Sequence, residues 1–208
     1  MSRRTFLWNS FAKRYSRQAI ADQASYEKKL AITRKYLSPE SEVFEFGCGT
    51  GSTALLHAPY VKHIDATDFA KNMIAIAEEK RIAQNIGNID FKVADITLES
   101  VPSKRYDVVL GLNIVHLMED KQSILNKAYE MLKPGGYFIS STICMANIPG
   151  GLRLFLGTMS FLGLFPKLGP YTEQDLLNGM RAAGFEITEQ WNPEGAFTVV
   201  FLVAKRPG

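Results

Sequence analysis

The residues with the clearest chemical implication are a glutamate and three glycines in the stretch VFEFGCGTG, residues 43–51. Glu45 stands two positions before Gly47, and Gly49 and Gly51 follow at alternate positions. Because glycine has no Cβ atom, such a turn lets the backbone approach a ligand closely, and the following helix presents free N–H groups. A carboxylate at this place repels a pyrophosphate. The stretch therefore predicts a site for a ligand that carries a cationic amine as well as a carboxylate.

The glycine spacing distinguishes this turn from the dinucleotide-binding fingerprint, G-x-G-x-x-G. Here the spacing is G-x-G-x-G, and Ser52 stands where that fingerprint has its third glycine. Together with Glu45, the spacing argues against a nicotinamide-dependent dehydrogenase.

Strands and helices alternate on the C-terminal side of this turn, as the period of their apolar residues shows. The predicted strands cover residues 43–47, 61–67, 89–95, 106–113 and 137–142, and the predicted helices cover residues 52–58, 70–84 and 121–133, the last one ending before Pro134 and Gly135. Such alternation predicts a parallel sheet covered by helices on both faces.

The two ends of the chain follow different patterns. Residues 9–36 predict two helical pieces, and Thr172 is a suitable N-cap for a helix that Gly184 would terminate. The β-rich runs 185–191 and 197–206 predict an antiparallel pair that closes the sheet.

Composition indicates one globular domain, with 208 residues and a hydrophobic content of 46%. The two cysteines, Cys48 and Cys144, indicate no disulfide framework, so a reducing, cytoplasmic compartment is expected. The longest apolar stretch, residues 154–165, would extend only about 18 Å as a helix, so no membrane span is expected.

Positive charge is concentrated at the N-terminus. Residues 1–36 contain nine Lys and Arg against two acids, whereas the remainder contains 15 against 19. This basic arm either binds an anionic partner or is a solvated helix face, and the second interpretation is favoured.

The motif E-x-G-x-G-x-G after an apolar strand resembles motif I of the class I S-adenosylmethionine-dependent methyltransferases. Five further segments follow in that family's order, namely DATDFAKNMI, VADI, YDVVLGLNIVHLMED, LKPGGYFISST and YTEQDLLNGMRAAGFEI. The resemblance covers residues 40–206 and is greatest to the small stand-alone, type 11 or quinone-methyltransferase-like branch. It implies a doubly wound, Rossmann-like α/β fold with a seven-stranded sheet of order 3-2-1-4-5-7-6, strand 7 being antiparallel.

The resemblance also implies a single methyltransferase domain over residues 1–208. Its parts are a helical N-terminal cap (1–38), a cofactor-binding core (40–142), an apolar lid insertion (148–170) and the last helix with the antiparallel strand pair (172–206). The lid is interpreted as a wall of an apolar substrate pocket, with an ordinary core role or a membrane-surface contact as alternatives.

S-adenosyl-L-methionine is the cofactor that the resemblance implies, with S-adenosyl-L-homocysteine as product. Asp68 would hold the ribose hydroxyls, and Phe69 and Met73 would line the adenine side. Asp95 and the N–H of Ile96 would meet the adenine edge. The complete expected set is Glu45, Gly47, Cys48, Gly49, Gly51, Asp68, Phe69, Met73, Asp95, Ile96, Leu112 and Asn113.

Methyl transfer from a sulfonium depends on alignment and exclusion of water, so no obligatory catalytic signature is expected. His116 is the candidate general base, because imidazole titrates near neutral pH. The histidine of the family more often falls one residue later, where this chain has Leu117, so a packing role for His116 is the alternative. No metal site is predicted. The candidate substrate contacts are Tyr15, Tyr26 and Arg153, and His57 and His63 are expected at the surface.

The leading functional hypothesis is methyl transfer to a small, apolar or aromatic molecule. The alternatives are modification of RNA or another polyanion through the basic arm, and a non-catalytic, cofactor-binding partner subunit. Because the adenine N6 signature is absent after strand 4, where the chain reads NIVH, a nucleic acid is the less favoured partner. The oligomeric state stays open.

Overall fold

The structure, a computed structural model, describes residues 3–144, 151, 171–194 and 198–208. Two helices precede the sheet, α1 (Arg3–Arg17) and α2 (Gln23–Arg34). Asp22 begins α2, because its side chain accepts a hydrogen bond from the backbone N–H of Ser25 at 3.0 Å. The predicted division of the N-terminal region into two helical pieces is confirmed, although α1 begins earlier than expected.

Seven strands form one sheet of order β3-β2-β1-β4-β5-β7-β6. Strand β7 is antiparallel to both neighbours, and the pairs β1–β2, β1–β4, β2–β3 and β4–β5 are parallel. The predicted fold class is confirmed. The strands are β1 (Glu42–Phe46), β2 (His63–Asp68), β3 (Ile89–Val93), β4 (Tyr106–Leu112), β5 (Leu132–Cys144), β6 (Glu186–Trp191) and β7 (Thr198–Lys205).

Among the described residues, four further helices flank the sheet. They are α3 (Ser52–His57), α4 (Lys71–Ala83), α5 (Lys121–Met131) and α6 (Glu173–Ala182). Thr172 caps α6 as predicted: its hydroxyl accepts from the N–H of Asp175, whose carboxylate accepts from the N–H of Thr172, each at 2.9 Å.

The junction of α5 and β5 differs from the sequence-based prediction. Helix α5 ends at Met131, and β5 begins at Leu132, so Pro134 lies inside a strand. Tertiary pairing explains the difference, because Gly135 donates to the carbonyl of Arg206, and the Arg206 guanidinium donates to that of Leu132 at 2.8 Å. Contacts with the end of β7 thus extend β5 towards its N-terminus.

Side chains alternate across the sheet and build an apolar core on each face. On one face Phe46, Val109 and Phe138 pack against α5 and α6. On the other, Ile64 and Leu110 pack against α3 and α4. Because β1, β2 and β4 are parallel, their carboxyl ends lie at one common edge of the sheet, where they meet the turns that follow them.

The part of the chain that the structure describes contains no helix long and apolar enough to cross a membrane. The predicted lid over residues 148–170 falls, apart from residue 151, outside the described residues, so its three interpretations stay open.

Candidate functional site

The glycine turn joins β1 to α3 with three left-handed glycines, Gly47, Gly49 and Gly51, at φ values of 67°, 56° and 71°. A Cβ atom on Gly47 would lie 2.5 Å from Ile114, and one on Gly51 would lie 2.6 Å from the Phe91 ring. A Cβ atom on Gly49 would meet only Tyr15, at 3.8 Å. The outer two glycines thus allow close packing, whereas Gly49 borders open space.

Asp68 holds this turn in place from the end of β2. Its Oδ2 accepts a hydrogen bond from the N–H of Gly49 at 3.0 Å, and its Oδ1 accepts from the N–H of Ala70 at 2.8 Å. The same carboxylate thus connects the β1–α3 turn with the beginning of α4. The structure places Asp68 at the predicted strand end, beside the glycine turn.

Glu45 is the second acid of the site, and it is only 3% exposed. Its Oε2 has no hydrogen-bond partner among the described residues. Burial, and next the charge of Asp68, raise the pKa of Glu45 to about 8. A cationic group placed beside these two acids would stabilise the ionised form of Glu45.

A small cavity of about 60 Å³ lies between the glycine turn and α1. Trp8 and Tyr15 of α1 form its roof, and Asn9 anchors the helix because its Oδ1 accepts from the N–H of Asn72 at 2.9 Å. The predicted residues that line this cavity are Tyr15, Gly47, Gly49, Asp68, Phe69, Met73, Leu112 and Asn113.

A larger cavity of about 420 Å³ lies next to the small one, and Leu112 and Asn113 line both. Helix α2 contributes Tyr26 and Lys29 to its wall. Its complete lining is Ile20, Ala21, Asp22, Ser25, Tyr26, Lys29, Leu30, Thr33, Thr53, His57, Leu112, Asn113, Ser141, Pro193, Glu194 and Val199. The site is therefore a pair of adjoining cavities with a common wall at the end of β4.

A chain of hydrogen bonds crosses this common wall. Lys29 Nζ donates to Ser141 Oγ at 3.0 Å, and Ser141 Oγ donates to Asn113 Oδ1 at 3.0 Å. Asn113 adopts a left-handed conformation with φ of 57°, and its N–H donates to the carbonyl of Ser141 at 2.8 Å. The end of β4 is thus held by β5 and reached by a lysine from α2.

Six predicted site residues of the described chain line neither cavity: Glu45, Cys48, Gly51, Asp95, Ile96 and His116. Asp95 accepts from the N–H and hydroxyl of Thr97 at 3.0 and 2.7 Å, and Ile96 is buried in the apolar core. Cys48 packs against the core, and burial raises the pKa of its thiol well above the usual value. Arg153 falls outside the described residues.

His116, the predicted base, is 7% exposed and lines neither cavity. Its Nδ1 accepts a hydrogen bond from the N–H of Ile143 at 3.5 Å. Burial, followed by the charge of Lys121, lowers its pKa to about 4. The hydrogen bond joins the turn after β4 to β5, and the lowered pKa keeps the imidazole neutral at physiological pH.

His57 was expected at the surface, and this expectation is wrong. It is 0% exposed, it lines the larger cavity, and neither ring nitrogen has a hydrogen-bond partner among the described residues. Burial, followed by the charge of Arg34, lowers its pKa to about 4. The signal was present in the sequence, because His57 stands three residues after the buried Ala54 and so shares a helical face with it.

A third group of titratable side chains lies at the opposite edge of the sheet. His63, Asp65 and Asp90 approach one another there. Lys104 pairs with Asp65 at 2.8 Å and compensates its charge, so this group is an ion-pair network distant from the two cavities.

Comparison with known proteins agrees with this geometry. Residues 43–136 match the family model described as a methyltransferase domain. The chain is 31% identical over 139 residues to a malonyl-[acyl-carrier protein] O-methyltransferase of Bacillus cereus, a match that covers 65% of this chain and 50% of that protein. The chain thus contains a methyltransferase domain over residues 43–136 and is similar to proteins named as methyltransferases.

Solved structures share the fold of this chain. The N-methyltransferase NodS of Bradyrhizobium japonicum WM9, in complex with S-adenosyl-L-homocysteine, aligns with a TM-score of 0.71 and 14% identity over 97% of this chain and 99% of that one. The [4+2]-cyclase SpnF aligns with a TM-score of 0.74 and 19% identity over 92% and 83%. The chain spans about half the length of the B. cereus protein. It spans about a fifth of the length of another curated relative, a phosphoethanolamine N-methyltransferase of Triticum aestivum.

The outer and central glycines are expected to differ in their effect on stability. Gly49→Ala should lower the free energy of unfolding by about 1–2 kcal/mol, because alanine is strained in the left-handed region. Gly51→Ala should cost about 1–3 kcal/mol more, because its Cβ would clash with Phe91 and Ala77. Urea unfolding of both variants measures the difference, and equal losses would contradict this account of the turn.

The buried imidazole of His57 should make stability depend on pH. Its pKa falls from 6.5 to about 4 on folding, so between these values the unfolded chain binds a proton that the folded chain excludes. Its contribution to stability is complete above pH 6.5 and is lost as the pH falls towards 4.

His57→Phe should therefore gain stability relative to the wild type on acidification. Between pH 7 and pH 4, the difference in free energy of unfolding should change by about 3 kcal/mol. His116 and Glu45 titrate in both proteins, so their contributions cancel in the comparison. If the difference in free energy of unfolding between variant and wild type did not change with pH, His57 would be protonated as readily in the folded protein as in the unfolded chain.

Proposed function

We propose that this chain transfers a methyl group from S-adenosyl-L-methionine to a small molecule whose body is largely apolar or aromatic. The observation that carries the proposal is the buried carboxyl of Glu45, with an unpartnered oxygen, beside the glycine turn that Asp68 fixes. A cofactor with a cationic amine, hydroxyl groups and an apolar base supplies a partner for each part of that site.

The residues around the small cavity fit this cofactor. Glu45 would meet the amine, and Asp68 would accept hydrogen bonds from the ribose hydroxyls. Phe69 and Met73 offer an apolar wall for the adenine. Gly49 leaves space for the ligand, because no side chain other than that of Tyr15 lies near the position of its missing Cβ.

Helix α1 restricts entry to the cofactor site. A volume of 60 Å³ corresponds to about two water molecules, so the cofactor needs Trp8 and Tyr15 to move away from the glycine turn. Helix α1 is held chiefly by Ala12, which packs on Ala70 and Met73, and by the Asn9–Asn72 pair. The proposal therefore includes displacement of α1 on cofactor binding.

The larger cavity is the proposed acceptor pocket. Its volume of 420 Å³ suits a small organic molecule, and Leu30, Leu112 and Val199 give it apolar walls. Because Asn113 lines both cavities, an acceptor in the larger one would lie next to a cofactor in the smaller one.

When bound, the cofactor supplies an electrophilic methyl group on a sulfonium centre. The chain supplies orientation and exclusion of water. The glycine turn fixes the cofactor, and the wall at Asn113 sets the position of the acceptor. We assign His116 a positioning role, because it lines neither cavity and its Nδ1 accepts a hydrogen bond from the backbone of β5.

A polyanion such as RNA is the second candidate acceptor. The exposed face of α1 forms a hollow lined by Ser10, Lys13, Arg14, Arg17 and Gln18, which supports binding of phosphates. Binding to a model RNA that weakens steeply between 50 and 200 mM salt, and methylation of that RNA, would favour this function over the small-molecule one. A third candidate, a non-catalytic partner subunit, would bind the cofactor without turnover.

Thermal unfolding with S-adenosyl-L-homocysteine tests the proposal directly. A ligand at about 100 times its dissociation constant adds about 2.7 kcal/mol of stability. For a domain of this size, the midpoint should rise by about 5–11 °C. NADH is the control and should produce no shift. A shift with NADH and none with S-adenosyl-L-homocysteine would refute the proposed cofactor.

Glu45 should release a proton when the cofactor product binds at pH 7. Its pKa of about 8 leaves it mostly protonated in the free protein, and a cationic amine nearby would lower that pKa. The titratable groups that interact with it, Asp68, the phenol of Tyr26 and the thiol of Cys48, do not provide such a cation. Binding enthalpies measured in buffers of different ionisation enthalpy should therefore reveal up to about one proton released.

The variants that check this assignment lie on the same strand. Glu45→Gln should abolish the proton release and weaken binding about tenfold or more, since a charged hydrogen bond contributes about 1.5–3 kcal/mol. Glu42→Gln is the matched control, because Glu42 lies at the other end of β1 and pairs with Lys62 and Lys104. An unchanged affinity in Glu45→Gln would rule out contact with the amine.

A further inference from the structure

Among the described residues that line the larger cavity, Lys29 is the one with a cationic side chain. Lys29 Nζ donates to Ser141 Oγ at 3.0 Å, and among the described residues no carboxylate lies within ion-pair distance of it. Burial lowers the pKa of Lys29, which shows that its ammonium is partly withdrawn from water. An ammonium has three N–H donors, and only one has a partner among the described side chains. An anionic group in the cavity would satisfy the other two.

The acids of this cavity restrict which anion fits. Asp22 and Glu194 also line it, so its described ionisable side chains, with His57 neutral, carry one positive and two negative charges. A dianionic phosphate would meet repulsion from both acids with a single lysine to offset it. A monoanionic carboxylate requires only one cation, and it suits a single lysine better than a phosphate does.

His57 supplies a second recognition element in the same cavity. A neutral imidazole carries one donor and one acceptor, and both ring nitrogens lack partners among the described residues. Leaving buried polar groups unpaired destabilises the folded protein. Nearby, the Tyr26 hydroxyl lies 3.1 Å from Thr53 Oγ1. A ligand with a hydroxyl or amine group would offer the hydrogen bonds that His57 lacks, and because His57 is 0% exposed, the neighbouring side chains would shift to admit it.

We propose that the acceptor is a small carboxylic acid with an apolar or aromatic body, whose carboxylate binds Lys29 and whose second polar group binds His57. This inference rests on the proposed function, since it assigns the substrate class of the same site. Through Ser141, Lys29 is connected to Asn113 at the wall between the two cavities. The carboxylate would therefore be anchored at that wall, and its anchoring would determine which end of the acid faces the cofactor.

Binding of matched acid and amide probes tests the proposal without any need for turnover. The probes are 4-hydroxybenzoate, benzoate and indole-3-acetate, each compared with its carboxamide by calorimetry, with and without saturating S-adenosyl-L-homocysteine. We expect each acid to bind the wild-type protein at least tenfold more tightly than its amide. Equal affinity of acids and amides, or binding of neither, would overturn the proposal.

Two lysines on α2 give a matched pair of variants. Lys29→Met should remove the preference for acids and leave the affinity for S-adenosyl-L-homocysteine unchanged. Lys28→Met removes the same charge one residue away, where the ammonium lies 4.2 Å from the centre of the Trp191 ring and not in the cavity, and it should keep the preference. Loss of the preference in both variants would indicate a general effect of charge and overturn the proposal.

His57→Phe tests the second contact. It should weaken 4-hydroxybenzoate about tenfold while changing benzoate little, because benzoate has no hydroxyl group for the imidazole. An equal effect on both acids would show that His57 does not read the second polar group.

The outcomes also separate this proposal from the proposed function. If Lys29→Met loses affinity for S-adenosyl-L-homocysteine, Lys29 holds the carboxylate of the cofactor, and the acid proposal fails while the proposed cofactor stands. If the wild-type protein does not bind S-adenosyl-L-homocysteine, the proposed function fails. Acid and amide affinities measured without it would still decide which ligand class the larger cavity prefers.

Discussion

The functional edge of this protein depends on one carboxylate, that of Asp68, which accepts hydrogen bonds from the N–H groups of Gly49 and Ala70. These two bonds connect the turn after β1 to the beginning of α4, so the left-handed glycines keep their positions relative to β2. The bonds also fix an ionised group beside the buried Glu45, whose pKa is thereby raised further. This arrangement determines the shape of the small cavity. Because it places two acids side by side, it also favours a ligand with a cationic group.

The two N-terminal helices divide the edge of the sheet between two cavities. Helix α1 covers the glycine turn with Trp8 and Tyr15, whereas α2 sends Lys29 across the end of β4 to Ser141. The segment that sequence reasoning treated as a helical cap thus lines both cavities. A change in the position of α1 would open the small cavity, while α2 contributes the polar contacts of the larger one.

Sequence reasoning predicted candidate site residues at the ends of predicted strands, namely Glu45 with the glycine pattern, Asp68 and Asn113. The structure places them at or next to the carboxyl ends of β1, β2 and β4. The error at His57 had a different origin: His57 was assigned a surface role because it stands next to the link between a predicted helix and a strand, although its spacing of three residues from Ala54 places it on the buried face of that helix. Asp95 and Ile96 were matched by motif, but their side chains lie outside the two cavities.

The sequence by itself determined the order of strands and helices, the fold family and the glycine turn, because period, turn residues and short motifs are local properties of the chain. Only the tertiary structure decided that Lys29 reaches Ser141, 112 positions away, and that Pro134 lies inside β5, which pairs with the end of β7. It also decided which titratable groups are buried, and hence the low pKa of His57 and the high pKa of Glu45. Desolvation and long-range contacts arise from packing, and no short stretch of sequence specifies them.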